Sequence, residues 1–312
     1  MSAGSGTGSR ADGTAARAVS SPGGSSPVIP AGPLDRGRLR RRLLAGEAVA
    51  GCFAGLASPM AVEVMAASGA GWVLVDLEHG GGGEEQVGPA VAAAGAYDTA
   101  VLVRVERPDR VRIGRVLDAG AAGVMLPRIE SADEVRGLLR HLRYPPDGDR
   151  GVATYNRAVR WGQDLAALGT ANTEAAGIVQ IETRGALEQI EEIAALDGAD
   201  VLFIGPLDLS YALGVPLDFG APAFTGAVER VLAAAERHGK AAGILSPTAQ
   251  AAVDRKHQGF RFLAVGSDST LLASAVSGAM AALADNPAEA LPERGSAANT
   301  THSTDPAARP QS

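Results

Sequence analysis

Ile178-Val179-Gln180-Ile181-Glu182-Thr183-Arg184 and Phe203-Ile204-Gly205-Pro206-Leu207-Asp208 share one design, a short apolar run of strand type that halts at a carboxylate. The two carboxylates stand 26 residues apart. Between the runs, residues 185–198 carry helical spacing (Ala186, Leu187, Ile190, Ile193, Ala194) and end at Gly198. A strand–helix–strand crossover of this kind makes the two strands parallel and sets them side by side, about 4.8 Å apart. Glu182 and Asp208, each just past the C-terminal end of its strand, can then share one divalent cation through oxygen ligands at about 2.1 Å. They are the candidate metal ligands.

The same alternation runs outward in both directions. A lead-in helix over 37–46 precedes strand-like segments at 48–53, 72–76, 100–104 and 123–127, separated by helical patterns at 60–67, 84–96 and 109–119. The helix over 131–142 opens on Ser131 with Glu134 three residues later, the pattern of a capping box. A long connection over 144–170 leads to the Glu182 strand, and a loop over 210–220 follows the Asp208 strand. Helices at 223–238, 247–256 and 270–284 then alternate with strands at 241–245 and 260–265. Eight β/α units in about 250 residues predict an α/β fold, a (β/α)8 TIM barrel. An open doubly wound sheet alternates too, but the strand count and the lack of Gly-x-Gly-x-x-Gly after the first strand favour closure. The barrel domain is expected over 34–285, as a single domain between disordered tails at 1–33 and 286–312, which are rich in Gly, Ser, Ala and Pro.

Composition narrows the function classes. A net charge of -7 and 4% aromatic residues argue against nucleic acid or an acidic membrane as partner. The single cysteine, Cys52, excludes an intrachain disulfide framework and fits the cytoplasm. The run Gly80–Gly83 lacks the Lys-Ser/Thr of a phosphate loop and reads as a loop over the site.

In a barrel the site is built at the C-terminal strand ends. The second strand brings Asp76, Glu78 and His79 there, the third Arg104, the fourth Pro127-Arg128, the fifth Gln180 and Glu182, the sixth Asp208 and the eighth Asp268. A divalent cation (Mg²⁺, Mn²⁺ or Co²⁺) on Glu182 and Asp208 suits a 2-oxo acid and the enolate it forms. Arg104 suits the developing oxyanion. His79 can move a proton on the partner aldehyde oxygen, oriented by Asp76 or another carboxylate. A Schiff-base route needs a lysine at a strand's C-terminal end; Lys240 precedes the seventh strand and Lys256 ends a helix, so metal chemistry is favoured.

The segments VLVDLEHG (73–80), VRVER (103–107), LDAGAAGVMLP (117–127), RYPPDGDRG (143–151), VQIET (179–183), FIGPLDL (203–209) and VGSDSTLL (265–272) resemble, in order, the HpcH/HpaI family of class II pyruvate aldolases. The resemblance implies Glu182 and Asp208 as metal ligands, His79 as acid/base with Asp76 preceding it, and Arg104 as the oxyanion and substrate-orienting residue. It further implies that Asp118 pairs with that histidine from a neighbouring subunit, that Gln180 lies beside the metal, and that Gly205 and Pro206 bind the pyruvate carboxylate. The region 152–161 is variable among relatives and is expected near the site. The implied assembly is a homohexamer with the last helix exchanged between subunits. The expected reaction is reversible cleavage of a 4-hydroxy-2-oxo acid to pyruvate and an aldehyde. The alternative is a Claisen-type lyase or synthase acting on a CoA thioester or forming citrate.

Overall fold

The computed structural model describes residues 35–285; the tails expected at 1–33 and 286–312 lie outside the described residues. Helix α1 (Arg38–Leu44) precedes a regular alternation: β1 (Val49–Ala54), α2 (Pro59–Ala67), β2 (Trp72–Asp76), α3 (Val87–Ala94), β3 (Ala100–Arg104), α4 (Arg110–Asp118), β4 (Gly123–Leu126) and α5 (Ala132–Arg140). It continues through α6 (Ala167–Glu174), β5 (Ala176–Ile181), α7 (Arg184–Glu188), α8 (Ile190–Ala194), β6 (Val201–Ile204), α9 (Pro206–Ala212) and α10 (Pro222–Arg237). It ends with β7 (Ala241–Ser246), α11 (Ala249–His257), β8 (Phe262–Ser267) and α12 (Asp268–Asp285). All neighbouring strands pair in parallel, and β8 pairs with β1, so the eight strands close a barrel as expected.

Side chains alternate across each strand, and the sequence uses that alternation to build two cores. Residues such as Val73, Val103, Val179 and Leu202 point outward against the helices. Trp72, Leu74, Leu102, Ile178, Phe203 and Phe262 fill the interior. Trp72 stacks on Phe262 with centroids 4.2 Å apart. Leu39 and Leu43 of α1 join the same interior cluster, so the lead-in helix plugs the N-terminal end of the barrel. At the other end the helices begin on caps: Ser58, Asp109, Ser131, Thr183 and Thr248 each accept a backbone N–H from the first turn they precede.

The structure departs from the sequence expectation in three places. The connection over 144–170 contains a 3₁₀ segment (Arg157–Gly162) and the first half of α6. It runs under the N-terminal end, where Arg36 donates to the Ala158 carbonyl at 2.8 Å and Arg157 packs beside Gly120. Residues 152–161 are therefore on the face opposite the strand C-termini within one chain, because α5 has already returned to the end where β5 must start. The helix expected over 185–198 breaks at Gln189 (φ -100, ψ 26) into α7 and α8; the Gln189 side chain accepts the Ala132 N–H at the start of α5. The loop expected from 210 begins later, because Pro206 starts α9 directly after Gly205.

Helix α12 differs from the others in exposing its apolar side chains, among them Leu272, Val276, Met280 and Leu283. Its first turn borders an apolar groove of about 650 Å³ shared with Leu56, Met60 and Val64.

Candidate active site

Two residues beyond each interior apolar layer the inward positions turn polar: Leu74 gives way to Asp76, Leu102 to Arg104, and Ile178 to Gln180 and then Glu182. Asp76 and Arg104 are register partners across β2 and β3. Arg104 donates through Nε to Asp76 Oδ1 at 2.9 Å and through Nη2 to Oδ2 at 2.6 Å, with Nη1 3.2 Å from Glu78 Oε2. Its guanidinium carbon lies 5.3 Å from the centroid of the Phe53 ring, which forms the floor beneath it. Burial pushes the Asp76 carboxyl up, but the Arg104 hydrogen bonds and charge, with the N–H groups of His79 and Glu78, outweigh it and hold the carboxyl below its ordinary range. Burial opposes the Arg104 charge, yet Asp76, then Glu78 and Glu182, keep it raised. The pair is permanently ionised, and of the five N–H donors of Arg104, two are bonded to Asp76.

Glu182 is 3% exposed. Its Oε1 accepts the Arg128 N–H at 2.8 Å and its Oε2 the Gln180 side-chain amide. Burial raises the Glu182 carboxyl, and the charges of Asp208 and Glu78 add to the rise against the pull of the Arg128 N–H. Asp208, in the first turn of α9, has a half-exposed side chain, and its one ion pair among the described residues, to Arg128 Nη1, spans 3.8 Å. Gly205 separates the two carboxylates, and a Cβ there would lie 2.4 Å from Glu182 Oε2 and 2.8 Å from Gln180 Nε2, so only glycine permits this approach. Gln180 Oε1 is buried without a hydrogen-bond partner among the described residues. Mutually repelling carboxylates beside an unpartnered amide oxygen are a hard, all-oxygen donor set, the kind that suits a divalent cation with water completing its shell. Among the described residues no cluster of three or more His, Cys, Asp or Glu side chains forms a metal site; Glu182 and Asp208 are the pair of carboxylates here that could contribute to such a shell.

Five sequence-predicted residues thus converge: Asp76, Arg104, Gln180, Glu182 and, beside them, Gly205. Asp208 and Pro206 follow on the first turn of α9. His79 is exposed on the rim, and its backbone N–H, not its ring, bonds Asp76 Oδ1 at 3.3 Å. Of the orienting groups expected for the imidazole, Asp76 or another carboxylate, Asp76 is bonded to Arg104 and to the turn that carries His79. Asp118 does not join them. It ends α4 at the N-terminal face, where Oδ1 pairs with buried Arg150 at 2.6 Å. Sequence reading left three participants unassigned: Glu78, Arg128 and Asp268. Asp268 accepts the N–H groups of Gly55 (2.9 Å) and Leu56 (3.1 Å), and the Gly55 carbonyl in turn accepts the Gly81 N–H at 2.8 Å. The β8 terminus therefore anchors the loop after His79. All three stand at strand ends, the only signal that the sequence offers for them.

Comparison with known proteins gives a consistent result. The sequence model of HpcH/HpaI aldolase/citrate lyase matches residues 49–275. A pyruvate aldolase of Rhizobium etli is 38% identical over 234 residues, 75% of this chain and 92% of the relative. A 4-hydroxy-2-oxo-heptane-1,7-dioate aldolase of Escherichia coli is 37% identical over 234 residues, 75% of this chain and 89% of the relative. The crystal structure of an HpcH/HpaI aldolase/citrate lyase family protein from Burkholderia cenocepacia superposes with a TM-score of 0.77 at 35% identity, covering 80% of this chain and 99% of that one.

The tight approach at Gly205 yields a test. Gly205→Ala forces Glu182 and Gln180 apart, so Mn²⁺ affinity measured by calorimetric titration should fall at least tenfold, about 1.4 kcal/mol, while circular dichroism of the barrel stays unchanged.

Proposed function

The chain belongs to the HpcH/HpaI aldolase/citrate lyase family, and from that membership we propose that it is a divalent-metal-dependent carbon–carbon lyase, a class II aldolase cleaving a 4-hydroxy-2-oxo acid reversibly to pyruvate and an aldehyde. The observation that carries the reading is the pairing of an ionised, positioned Arg104 with an electron-rich carboxylate set, Glu182 and Asp208, at one barrel mouth.

Glu182 and Asp208 are the residues to hold the cation, Mg²⁺, Mn²⁺ or Co²⁺, which when bound supplies Lewis-acid stabilisation at the 2-oxo group. Gln180, Gly205 and Pro206 line the 2-oxo acid's place beside them. In the cleavage direction His79 accepts the C4 hydroxyl proton, the O–H electron pair becomes the aldehyde carbonyl π bond, and the C3–C4 bond breaks. The C3–C4 pair becomes the C2=C3 bond of the enolate and the C2 carbonyl π pair passes to its oxygen, and Arg104, held by Asp76, stabilises that oxyanion through the N–H groups not bonded to Asp76. Return of the proton from His79, or from water, to C3 completes pyruvate. Because Asp76 fixes the guanidinium before substrate arrives, no reorganisation is required at the moment of reaction.

We assign Asp118 to a neighbouring copy's His79, since the two stand at opposite ends of one barrel. The exposed apolar face of α12 and the groove at its first turn support a homo-oligomer, the hexamer that the resemblance implies. Among the described residues no helix is long and apolar enough to cross a membrane, and we read the protein as cytoplasmic.

Chelation with EDTA should abolish pyruvate release from 4-hydroxy-2-oxo acids, read with lactate dehydrogenase, and Mg²⁺, Mn²⁺ or Co²⁺ should restore it. Full turnover in chelator, or citrate formed from acetyl-CoA and oxaloacetate in place of aldol cleavage, would refute the reading. His79→Ala should slow aldol cleavage by about 10²–10⁴-fold and spare oxaloacetate decarboxylation, which reaches the pyruvate enolate with no alkoxide to deprotonate. An unchanged ratio of the two rates removes His79 from proton transfer. Sedimentation should give a hexamer; a stable, fully active monomer contradicts the assembly.

A further inference from the structure

We infer that Arg128 selects substrates whose aldehyde half carries a second carboxylate; this rests on the aldolase reading above. Arg128 follows β4 with φ +53, the left-handed region that residues with a Cβ seldom occupy. The conformation does two things at once. It turns the Arg128 N–H onto Glu182 Oε1 at 2.8 Å, and it sends the side chain across the mouth toward Asp208. There the side chain is 68% exposed, and its one ion pair among the described residues is the 3.8 Å approach to Asp208.

The two arginines of the mouth are thereby divided by depth. Arg104 lies on the floor, buried, its fork locked on Asp76. Arg128 stands at the rim, its guanidinium uncommitted by any hydrogen bond among the described residues. The reacting carbons of a 2-oxo acid belong beside Arg104 and Glu182. On this inference the part of the substrate that becomes the aldehyde extends past them toward solvent, and its far end meets the rim guanidinium.

Charge balance supports the assignment. At the mouth the carboxylates Asp76, Glu78, Glu182, Asp208 and Asp268 outnumber Arg104 and Arg128. A divalent cation held by Glu182 and Asp208 would compete with Arg128 for Asp208 and so free the guanidinium. Without Arg128 this carboxylate-rich mouth repels a second carboxylate. With it, the tail gains a forked, charge-assisted partner.

The test compares cleavage of 4-hydroxy-2-oxoheptanedioate with that of 4-hydroxy-2-oxoheptanoate, the same carbon chain with a methyl in place of the C7 carboxylate. Wild type, Arg128→Met and Arg128→Lys are assayed for both, and Mn²⁺ affinity is measured for each protein by titration. Methionine retains the backbone N–H that serves Glu182 and a side chain of similar reach. Wild type should favour the dioate in kcat/KM, and Arg128→Met should cut that preference about tenfold or more through KM. Arg128→Lys should retain part of it, and Mn²⁺ should bind Arg128→Met no more weakly than wild type. A wild type without preference, an equal fall on both substrates, or lost Mn²⁺ affinity in Arg128→Met overturns the inference while leaving the aldolase reading in place. A wild type that cleaves neither substrate takes down the aldolase reading itself.

Discussion

The two hydrogen bonds from Arg104 to Asp76 are the interaction on which the rest of the mouth depends. They join adjacent strands at matched register, so the ion pair is an extension of the β2–β3 ladder by side chains. Removing either partner would strand a buried charge, a loss of about 3–5 kcal/mol. The pair's value, however, is chiefly positional. Asp76 Oδ1 also takes the N–H groups of Glu78 and His79, so one carboxylate fixes both the Arg104 guanidinium and the turn that carries His79. Gly80 extends this constraint, since a Cβ there would lie 2.1 Å from the Asp76 carbonyl oxygen.

Around that pair the barrel distributes opposing demands over neighbouring strands. Glu182 is buried and tied by an N–H from β4's end, whereas Asp208 rides on the first turn of α9 and faces solvent. On the proposed reading, the buried, anchored carboxylate fixes the position of the cation and the exposed one lets it and its waters exchange. Closure of the sheet adds a constraint of its own. Because β8 returns to β1, Asp268 reaches the N–H groups of Gly55 and Leu56, and through Gly55 the loop after His79 is held from the side opposite Asp76.

The barrel was legible because its signal is periodic: a short run of apolar residues, in most cases ending at a polar one, recurs eight times in alternation with helical patterns. Asp76, Arg104, Gln180, Glu182 and Asp208 were legible for the same reason, being the polar residues that terminate those runs. Interactions set by backbone angles were not. Nothing in Pro127-Arg128 announces a left-handed residue whose N–H serves Glu182, and nothing in Thr183–Gly198 announces that Gln189 will break the helix to cap α5. Ala167–Glu174 has too little apolar periodicity to mark α6, which is held instead by contacts to distant segments such as Arg36 and Tyr144. The Asp76–Arg104 pair was hidden for a related reason: register across the sheet sets it, and the sequence left the group that orients His79 open between Asp76 and another carboxylate.

Asp118 marks the limit of what one barrel can do alone. It closes α4 at the N-terminal face, while His79 follows β2 at the other, so the length of a five-residue strand, about 16 Å, stands between the two ends. Arg150 is almost wholly buried, stacks over Tyr144 at 4.5 Å and holds Asp118 Oδ1, which fixes that carboxylate. On the proposed reading this positioned carboxylate at one face and the imidazole at the other, which has no side-chain partner among the described residues, meet between copies. On the proposed reading, then, the chemistry divides along the barrel axis. Oxyanion stabilisation and cation binding are complete within a single mouth, because Arg104, Glu182 and Asp208 come from adjacent parts of one chain. Proton transfer by His79 draws its orienting charge from a second chain, so the half of the reaction that moves the aldehyde proton is conditional on assembly, and the half that holds the enolate is not.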